Sequence, residues 1–182
     1  MRRFLCRFGV VLVLILWGTG AMARAEAPAG LLGIGVGVAD PTARGTPGGF
    51  LATAGFRYPL TPWFAVEPEV GYWERSDRTD VLVSDVFSDF NVGLQGLFTV
   101  PVGRTWGLYA GAGVDVHVLT GEFRVVGFPT SEETRARGGF HVLGGADVRL
   151  GRDVRLFVTG RYDVVSGLRQ VRWVLGTRFR LE

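Results

Sequence analysis

The chain has 182 residues, a length that fits one domain. It carries 20 basic residues, all of them arginine, against 17 acidic ones. Four of the arginines and the single cysteine, Cys6, lie within the first 25 residues. The rest of the chain therefore has no excess of positive charge that would indicate a nucleic-acid partner, and it has no thiol chemistry and no disulfide.

The N-terminus has the organisation of a cleavable secretory signal. An arginine-rich opening ends at Arg7, an apolar run covers 8–17, and small residues lead to Ala23 and Ala25, either of which fits a cleavage site. The apolar run is shorter than the roughly 20 residues that a spanning helix needs. The sequence therefore predicts a signal peptide over 1–25 and one mature domain over 26–182. Cleavage after Ala25 leaves 16 arginines against 17 acids, a net charge of −1.

The mature chain alternates between apolar and small or polar residues, the period expected of strands. The longest such run covers 105–119, where every second residue from Trp106 to Val118 is apolar. No segment has a helical period, so the sequence predicts an all-β fold. The eight predicted strands are 31–39, 50–58, 63–73, 85–100, 105–119, 139–150, 154–165 and 170–181.

Short turns follow the second, fourth and sixth predicted strands, and mostly longer loops follow the first, third and fifth. The longest loop is predicted over 120–138, carries charges of both signs, and is expected to be solvated, with partner binding left open. Short turns at one end and long loops at the other are typical of a membrane barrel with both termini in the periplasm. Pro68, inside the third strand, is expected to lie at a bulge or an unpaired position.

A soluble lipocalin-like barrel would also alternate, with its apolar face inward, so the direction of each face needs separate evidence. The polar face is rich in glycine, which suits the narrow interior of eight strands, whereas a soluble exterior would carry lysine, and the chain has none. The apolar face carries aromatics near strand ends, as membrane girdles do. They are Tyr58, Phe64, Tyr72, Phe98, Trp106, Tyr162, Trp173 and Phe179.

The charges of the polar face nearly cancel, as a closed interior requires, because buried charges must be paired. Six acids and seven arginines are involved, and we predict that they form a charge network in the lumen. They are Arg57, Glu67, Glu69, Asp89, Asp115, Asp147, Arg149, Arg155, Arg161, Asp163, Arg172, Arg178 and Arg180. The sequence therefore predicts an eight-stranded antiparallel up-and-down transmembrane β-barrel.

The last predicted strand resembles the C-terminal signal of outer-membrane proteins, which the barrel assembly machinery reads. Gly176, Phe179 and Leu181 match that pattern, while Val174 replaces its polar residue and Glu182 follows it. Together with the segment 63–72, this makes the mature chain similar to the small outer-membrane β-barrel family that includes the OmpA transmembrane domain and OmpX. The resemblance implies an outer-membrane location in contact with lipid and lipopolysaccharide. We expect no peptidoglycan-binding domain after residue 182.

Some barrels of this size modify lipid A, so the polar residues of this chain are candidates for catalysis. His117 and His141 are the only histidines, are predicted to face inward on adjacent strands, and could lie opposite one another. A metal site needs three or four ligands, so we interpret them as lumen-filling side chains. Lipid A deacylase barrels carry a His-x-Ser pair, but Leu119 and Leu143 occupy the serine positions here.

Two carboxylates, Glu67 and Glu69, share one face of the third strand. They could act as a general acid and base, but we expect them to pair with interior arginines of strands seven and eight. The glycine-rich first strand is not a phosphate loop, because no helix and no lysine follow it.

These observations predict an outer-membrane barrel filled by its own side chains, with a structural or surface-interaction role, no cofactor and no enzymatic activity. Two alternatives stay open at this point: a lipid A-modifying enzyme, and a narrow, porin-like conduit for small solutes as in OmpW-like barrels. The sequence identifies no extracellular partner.

Overall fold

The computed structural model describes residues 30–41, 48–80, 83–127, 129–166 and 168–181. The predicted signal peptide lies outside these residues. Eight strands form a closed barrel in which each strand pairs with the next in antiparallel fashion and β1 pairs with β8. The strands are β1 Leu31–Pro41, β2 Gly49–Pro59, β3 Phe64–Asp80, β4 Val83–Val102, β5 Trp106–Val125, β6 Ser131–Arg149, β7 Val154–Val165 and β8 Leu168–Arg180. The predicted fold class is confirmed.

The apolar residues of each strand point out of the barrel. Val114 and Leu175 expose 63% and 62% of their surface, whereas Asp115 and His117, which alternate with Val114 along β5, are buried. A continuous apolar exterior of this extent is not found on soluble monomers but is what lipid requires. Closure also leaves no open sheet edge at the level of this apolar surface, where an unpaired backbone group would be costly. Among the described residues, no helix is long and apolar enough to cross a membrane.

The strands have two lengths, and this gives the barrel two different ends. β3 to β6 contain 17, 20, 20 and 19 residues, whereas β1, β2, β7 and β8 contain 11 to 13. We call the end at which the β3–β4 and β5–β6 hairpins extend beyond their neighbours the hairpin end. The opposite end, which carries the β2–β3, β4–β5 and β6–β7 connections, is the turn end.

The predicted long loops over 74–84 and 120–138 are wrong, because most of these residues belong to strands. β5 and β6 pair as far as Phe123 and Ser131, with Thr120 opposite Thr134. Residues 131–136 are exposed, as expected for a solvated segment. Apolar alternation is lost there because neither face meets lipid, but ladder hydrogen bonds and β-branched or aromatic residues such as Thr120 and Phe123 still sustain the strands.

The turn before β3 changes the position of Trp63, which is the first residue of the predicted third strand and would face inward by alternation with the outward Phe64. The Thr61 hydroxyl accepts a hydrogen bond from the backbone N–H of Phe64 (2.9 Å), and β3 begins only at Phe64. Trp63 thus lies outside the alternation of the strand. It is 56% exposed, and its ring stacks on Phe98 at the outer surface with centroids 5.7 Å apart. With Phe64, these rings form an aromatic cluster at the turn end.

Pro68 occupies an unpaired position, as predicted. The β2–β3 ladder passes from Gly55–Glu69 to Tyr58–Val66 in one register, without a pair at Pro68. On its other side Pro68 lies opposite Leu94 of β4. The missing donor of the proline is therefore accommodated without a bulge.

The lumen holds apolar side chains as well as charges. One buried apolar cluster contains Ala39, Leu51, Trp73, Phe157 and Val174. A second contains Leu97, Tyr109 and Leu143. Ion pairs lie around and between these clusters.

Candidate functional site

Asp115 of β5 lies at the centre of the polar lumen. One carboxylate oxygen accepts a hydrogen bond from His141 Nδ1 (2.8 Å) and another from Arg161, and the second oxygen lies 2.9 Å from His117 Nε2. His117 Nδ1 in turn donates to Asp89 (2.8 Å). Both ring nitrogens of His117 therefore face carboxylates, an arrangement that a doubly protonated imidazolium satisfies best.

The prediction that His117 and His141 lie opposite one another is wrong. In the β5–β6 ladder His117 pairs with Arg137, whereas His141 pairs with Gly113, which precedes His117 by four residues in β5. Asp115 lies between the two histidines and links them. Gly113 makes room for His141, because a Cβ there would lie 2.6 Å from His141 Nε2.

Three arginines reach across the lumen to the strand on the opposite wall. Arg161 of β7 contacts Glu69 of β3 (2.8 Å), and Arg172 of β8 contacts Asp89 of β4 (3.2 Å). In the third pair, Arg57 Nη1 of β2 lies 3.8 Å from Asp147 Oδ2 of β6. In a barrel of eight strands each of these partners is four strands away, the largest separation that the topology permits.

Shorter links complete the network. Asp163 lies 2.5 Å from Arg161 and 2.9 Å from Arg172. Glu67 accepts from Arg57 Nε at 2.6 Å. In a low-dielectric interior each charge needs such a partner, and removal of one member leaves another charge buried and unpaired.

The predicted network residues fall into two groups. Eleven of the thirteen take part in ion pairs, including Arg155, which contacts Asp147 (3.1 Å), and Arg178, which lies 3.8 Å from Glu67. Arg149 and Arg180 instead lie exposed at the turn end. Neither makes an ion pair with any residue that the structure describes.

Sequence reasoning did not single out several neutral members of the network. Gln95 accepts from His141 Nε2 (3.0 Å) and donates to Glu67 (3.2 Å), and Arg172 donates to Asn91 (2.8 Å). The Tyr109 hydroxyl donates to the carbonyl of Val158 (3.1 Å). All three neutral side chains occupy inward positions of their strands, so alternation alone could have found them.

One group of side chains has the composition of a metal site. Asp115, His141 and Asp163 each offer a ligand atom, and these atoms lie within 4.8 Å of one another. Arg161 contacts both carboxylates, so its guanidinium already occupies the cationic position between them. These residues therefore do not fit a resident metal ion.

The network leaves little space in the lumen. The cavity between Arg57, Glu67, Tyr109, Arg161 and Arg172 has a volume of about 20 Å³. A single water molecule needs a space of at least about 10–15 Å³.

A closed antiparallel barrel with an apolar exterior and a charged, filled interior is a transmembrane β-barrel. The family model described as "Outer membrane protein beta-barrel domain" matches residues 9–169, and the chain belongs to this family. It is therefore an outer-membrane protein. Among curated proteins, no relative matches the chain.

Solved structures share the fold at low sequence identity. Neisserial surface protein A (NspA) is 15% identical with a TM-score of 0.70, and the match covers 86% of this chain and all of that one. Ail, the attachment invasion locus protein of Yersinia pestis, is 16% identical with a TM-score of 0.65 over 86% of this chain and all of Ail. OprG of Pseudomonas aeruginosa is 13% identical with a TM-score of 0.58, covering 87% and 98%.

Proposed function

We propose that this protein is a structural, non-conducting outer-membrane barrel that presents an extended β-sheet for interactions at the cell surface. The observation that supports a closed lumen is the cross-lumen charge network, which leaves a cavity of only about 20 Å³ at its centre. An ion would have to separate buried ion pairs to pass. The alternative of a narrow conduit lacks this support.

Conductance in planar lipid bilayers tests the closed lumen. The purified barrel is expected to insert without stable current steps. Arg161→Ala combined with Arg172→Ala removes two cross-lumen bridges and serves as the comparison for an opened lumen. Regular current steps from the wild-type barrel, with a size that scales with salt concentration, would rule out the proposal.

We also propose that the turn end faces the periplasm and that the hairpin end faces outward. Short turns on the periplasmic side and longer outer extensions are the rule in bacterial barrels. The first residue of β1, Leu31, pairs with Arg180 at the end of β8, so both described termini lie at the turn end. Because the mature chain has no cysteine, Thr134→Cys and Gly151→Cys give single labelling sites at opposite ends. An impermeant maleimide applied to whole cells is expected to label only the first.

The surface role rests on the four-stranded sheet at the hairpin end. Glu132, Glu133 and Arg135 are exposed there, and Arg135 is bonded to Glu133 (2.8 Å). Ail, which shares the fold at 17% identity, has been crystallised with the heparin analogue sucrose octasulfate. The first assay for this chain measures how strongly cells that carry the protein bind to surfaces coated with sulfated glycans. The double variant Arg135→Gln, Arg137→Gln is expected to lower binding, and Arg104→Gln at the turn end is the matched control.

The match to the C-terminal assembly signal supports a second proposal, that Gly176, Phe179 and Leu181 are read during insertion. Phe179 and Leu181 lie toward the outside, 39% and 43% exposed. Gly176 also has a packing role, because a Cβ there would lie 2.5 Å from the Phe157 ring. Leu181→Ser is therefore the cleaner test. It is expected to reduce outer-membrane levels in cells while purified protein still refolds in detergent.

We propose no enzymatic reaction. His117 and His141 each direct ring nitrogens at carboxylates or at Gln95, and neither is followed by a serine two residues later. Mass spectrometry of lipid A from cells with and without the protein is expected to give identical spectra. A new lipid A species that depends on the protein would contradict this.

A further inference from the structure

The turn end of the lumen is lined by arginines on consecutive strands. In the ladders of β6, β7 and β8, Arg149 lies opposite Arg155, and Arg155 lies opposite Arg178. In the next two ladders, Leu31 of β1 lies opposite Arg180 of β8 and opposite Arg57 of β2. Like charges directly opposite one another destabilise a sheet unless something neutralises them.

A cavity of about 270 Å³ opens between these side chains at the turn end. We call its five arginines the arginine mouth: Arg57, Arg149, Arg152, Arg155 and Arg180. The carboxylates that line the same cavity are Asp147 and Asp153. The mouth therefore has an excess of three positive charges.

The available carboxylates leave most of these arginines without a partner. Asp147 accepts from Arg155 (3.1 Å) and lies 3.8 Å from Arg57. Arg149, Arg152 and Arg180 make no ion pair within the described part of the chain. An unneutralised row of this kind is a strong attractor for anions, because the low-dielectric walls of the barrel focus its field.

Arg57 is the most buried of the five arginines. Its Nε donates to Glu67 at 2.6 Å, and its guanidinium lies over the ring of Tyr109, 4.5 Å from the centroid. Its Nη2 is buried and has no hydrogen-bond partner. Arg57 therefore brings a positive charge to the inner wall of the cavity that Glu67 and Asp147 must share with other arginines.

We propose that the arginine mouth binds a phosphate-type oxyanion, with Arg57 as its innermost donor and the exposed arginines closing around it. Guanidinium groups match the geometry of phosphate oxygens through paired N–H donors, and several of them can share one dianion. The anion is either soluble phosphate or the headgroup phosphate of a lipid in the adjacent leaflet. The aromatic cluster of Trp63, Phe64 and Phe98 lies at the same end, where a headgroup would be. The proposal does not depend on which end faces the periplasm.

Isothermal titration calorimetry of the refolded full chain in an uncharged detergent tests the site. Inorganic phosphate is titrated at constant ionic strength, with chloride as the reference. Arg152→Gln removes one exposed donor and is expected to weaken phosphate binding about tenfold, the effect of losing one hydrogen bond to a charged group. Arg104→Gln, in the β4–β5 turn at the same end but outside the cavity, is expected to change affinity less than twofold.

Arg57→Lys tests the innermost donor while it keeps a positive charge beside Glu67. It is expected to lower phosphate affinity at least tenfold while circular dichroism and heat-modifiable mobility on gels show a folded barrel. Repeating the titration in phosphatidylcholine nanodiscs, with and without phosphatidylglycerol, separates the two sources. Loss of phosphate binding as the anionic lipid is added assigns the site to headgroups, and unchanged binding assigns it to soluble phosphate.

Three results would overturn the proposal. The first is phosphate binding no stronger than chloride binding. The second is an affinity that the Arg57 and Arg152 variants leave unchanged. The third is phosphate binding that appears only in Glu182→Gln, since it would mean that the chain's own terminal acid neutralises the mouth.

Discussion

Glu67 offers the most direct test of whether the lumen network stabilises the barrel. Its carboxylate accepts from Arg57 (2.6 Å) and Gln95 (3.2 Å) and lies 3.8 Å from Arg178. Glu67→Gln keeps the shape of the side chain but removes its charge, so two buried guanidinium groups lose their shared counter-ion. Breaking a buried ion pair costs about 3–5 kcal/mol. Because the glutamine side chain can still accept a hydrogen bond from Arg57, we expect a loss of unfolding free energy at the lower end of this range, about 3 kcal/mol.

The exposed pair at the hairpin end provides a matched control. Glu133 lies 2.5 Å from Arg135, but both side chains are mostly exposed. Glu133→Gln is therefore expected to cost less than about 1 kcal/mol. Reversible urea unfolding in lipid vesicles, followed by tryptophan fluorescence, measures both variants. Equal losses of unfolding free energy would refute the reasoning, because they would mean that burial does not strengthen the lumen pairs.

Three further predictions follow from the same contacts. Gly113→Ala would place a Cβ 2.6 Å from His141 Nε2, so urea unfolding should show a loss of about 1–3 kcal/mol typical of overpacking. Trp63→Ala removes the stacking on Phe98 at 5.7 Å, and we expect a smaller loss of about 0.5–1.5 kcal/mol in the same assay. Raising NaCl from 0.1 to 1 M shortens the screening length from about 10 to about 3 Å, and in the urea assay it should abolish the Glu133→Gln effect while leaving the effect of Glu67→Gln.

Much of the fold could be predicted because two-residue alternation in a closed barrel determines which side chains face lipid. The same rule predicts that Asp115, His117 and Arg161 face the lumen, where they are buried. It failed at Trp63, where a turn resets the alternation. It also failed over 120–138, where strands leave the membrane and neither face must be apolar. The length of the strands there depends on backbone hydrogen bonds between β5 and β6, and apolar alternation in the sequence does not predict these bonds.

The contacts within the lumen were less predictable than its composition. Alternation says that Arg161 points inward, but its choice of Glu69 and Asp163 depends on the stagger between strands that are far apart in sequence. The relative position of the two histidines depends on the β5–β6 register, and a difference of four residues separates the predicted arrangement from the observed one. The position of Asp115 between the two histidines depends on the same register.

The position of the charges also bears on how the chain selects one barrel. In lipid, the apolar exterior does not favour any one strand register, because a shift by two residues leaves apolar side chains outside. The cross-lumen pairs do discriminate, because they join β2 to β6, β3 to β7 and β4 to β8. A two-residue slip moves a partner by about 6–7 Å along a strand, which is more than an ion pair can span. A barrel with another number of strands would change its diameter and separate the opposite walls. We therefore expect the buried charges to specify register and closure, a role that an apolar filling of equal volume would not perform.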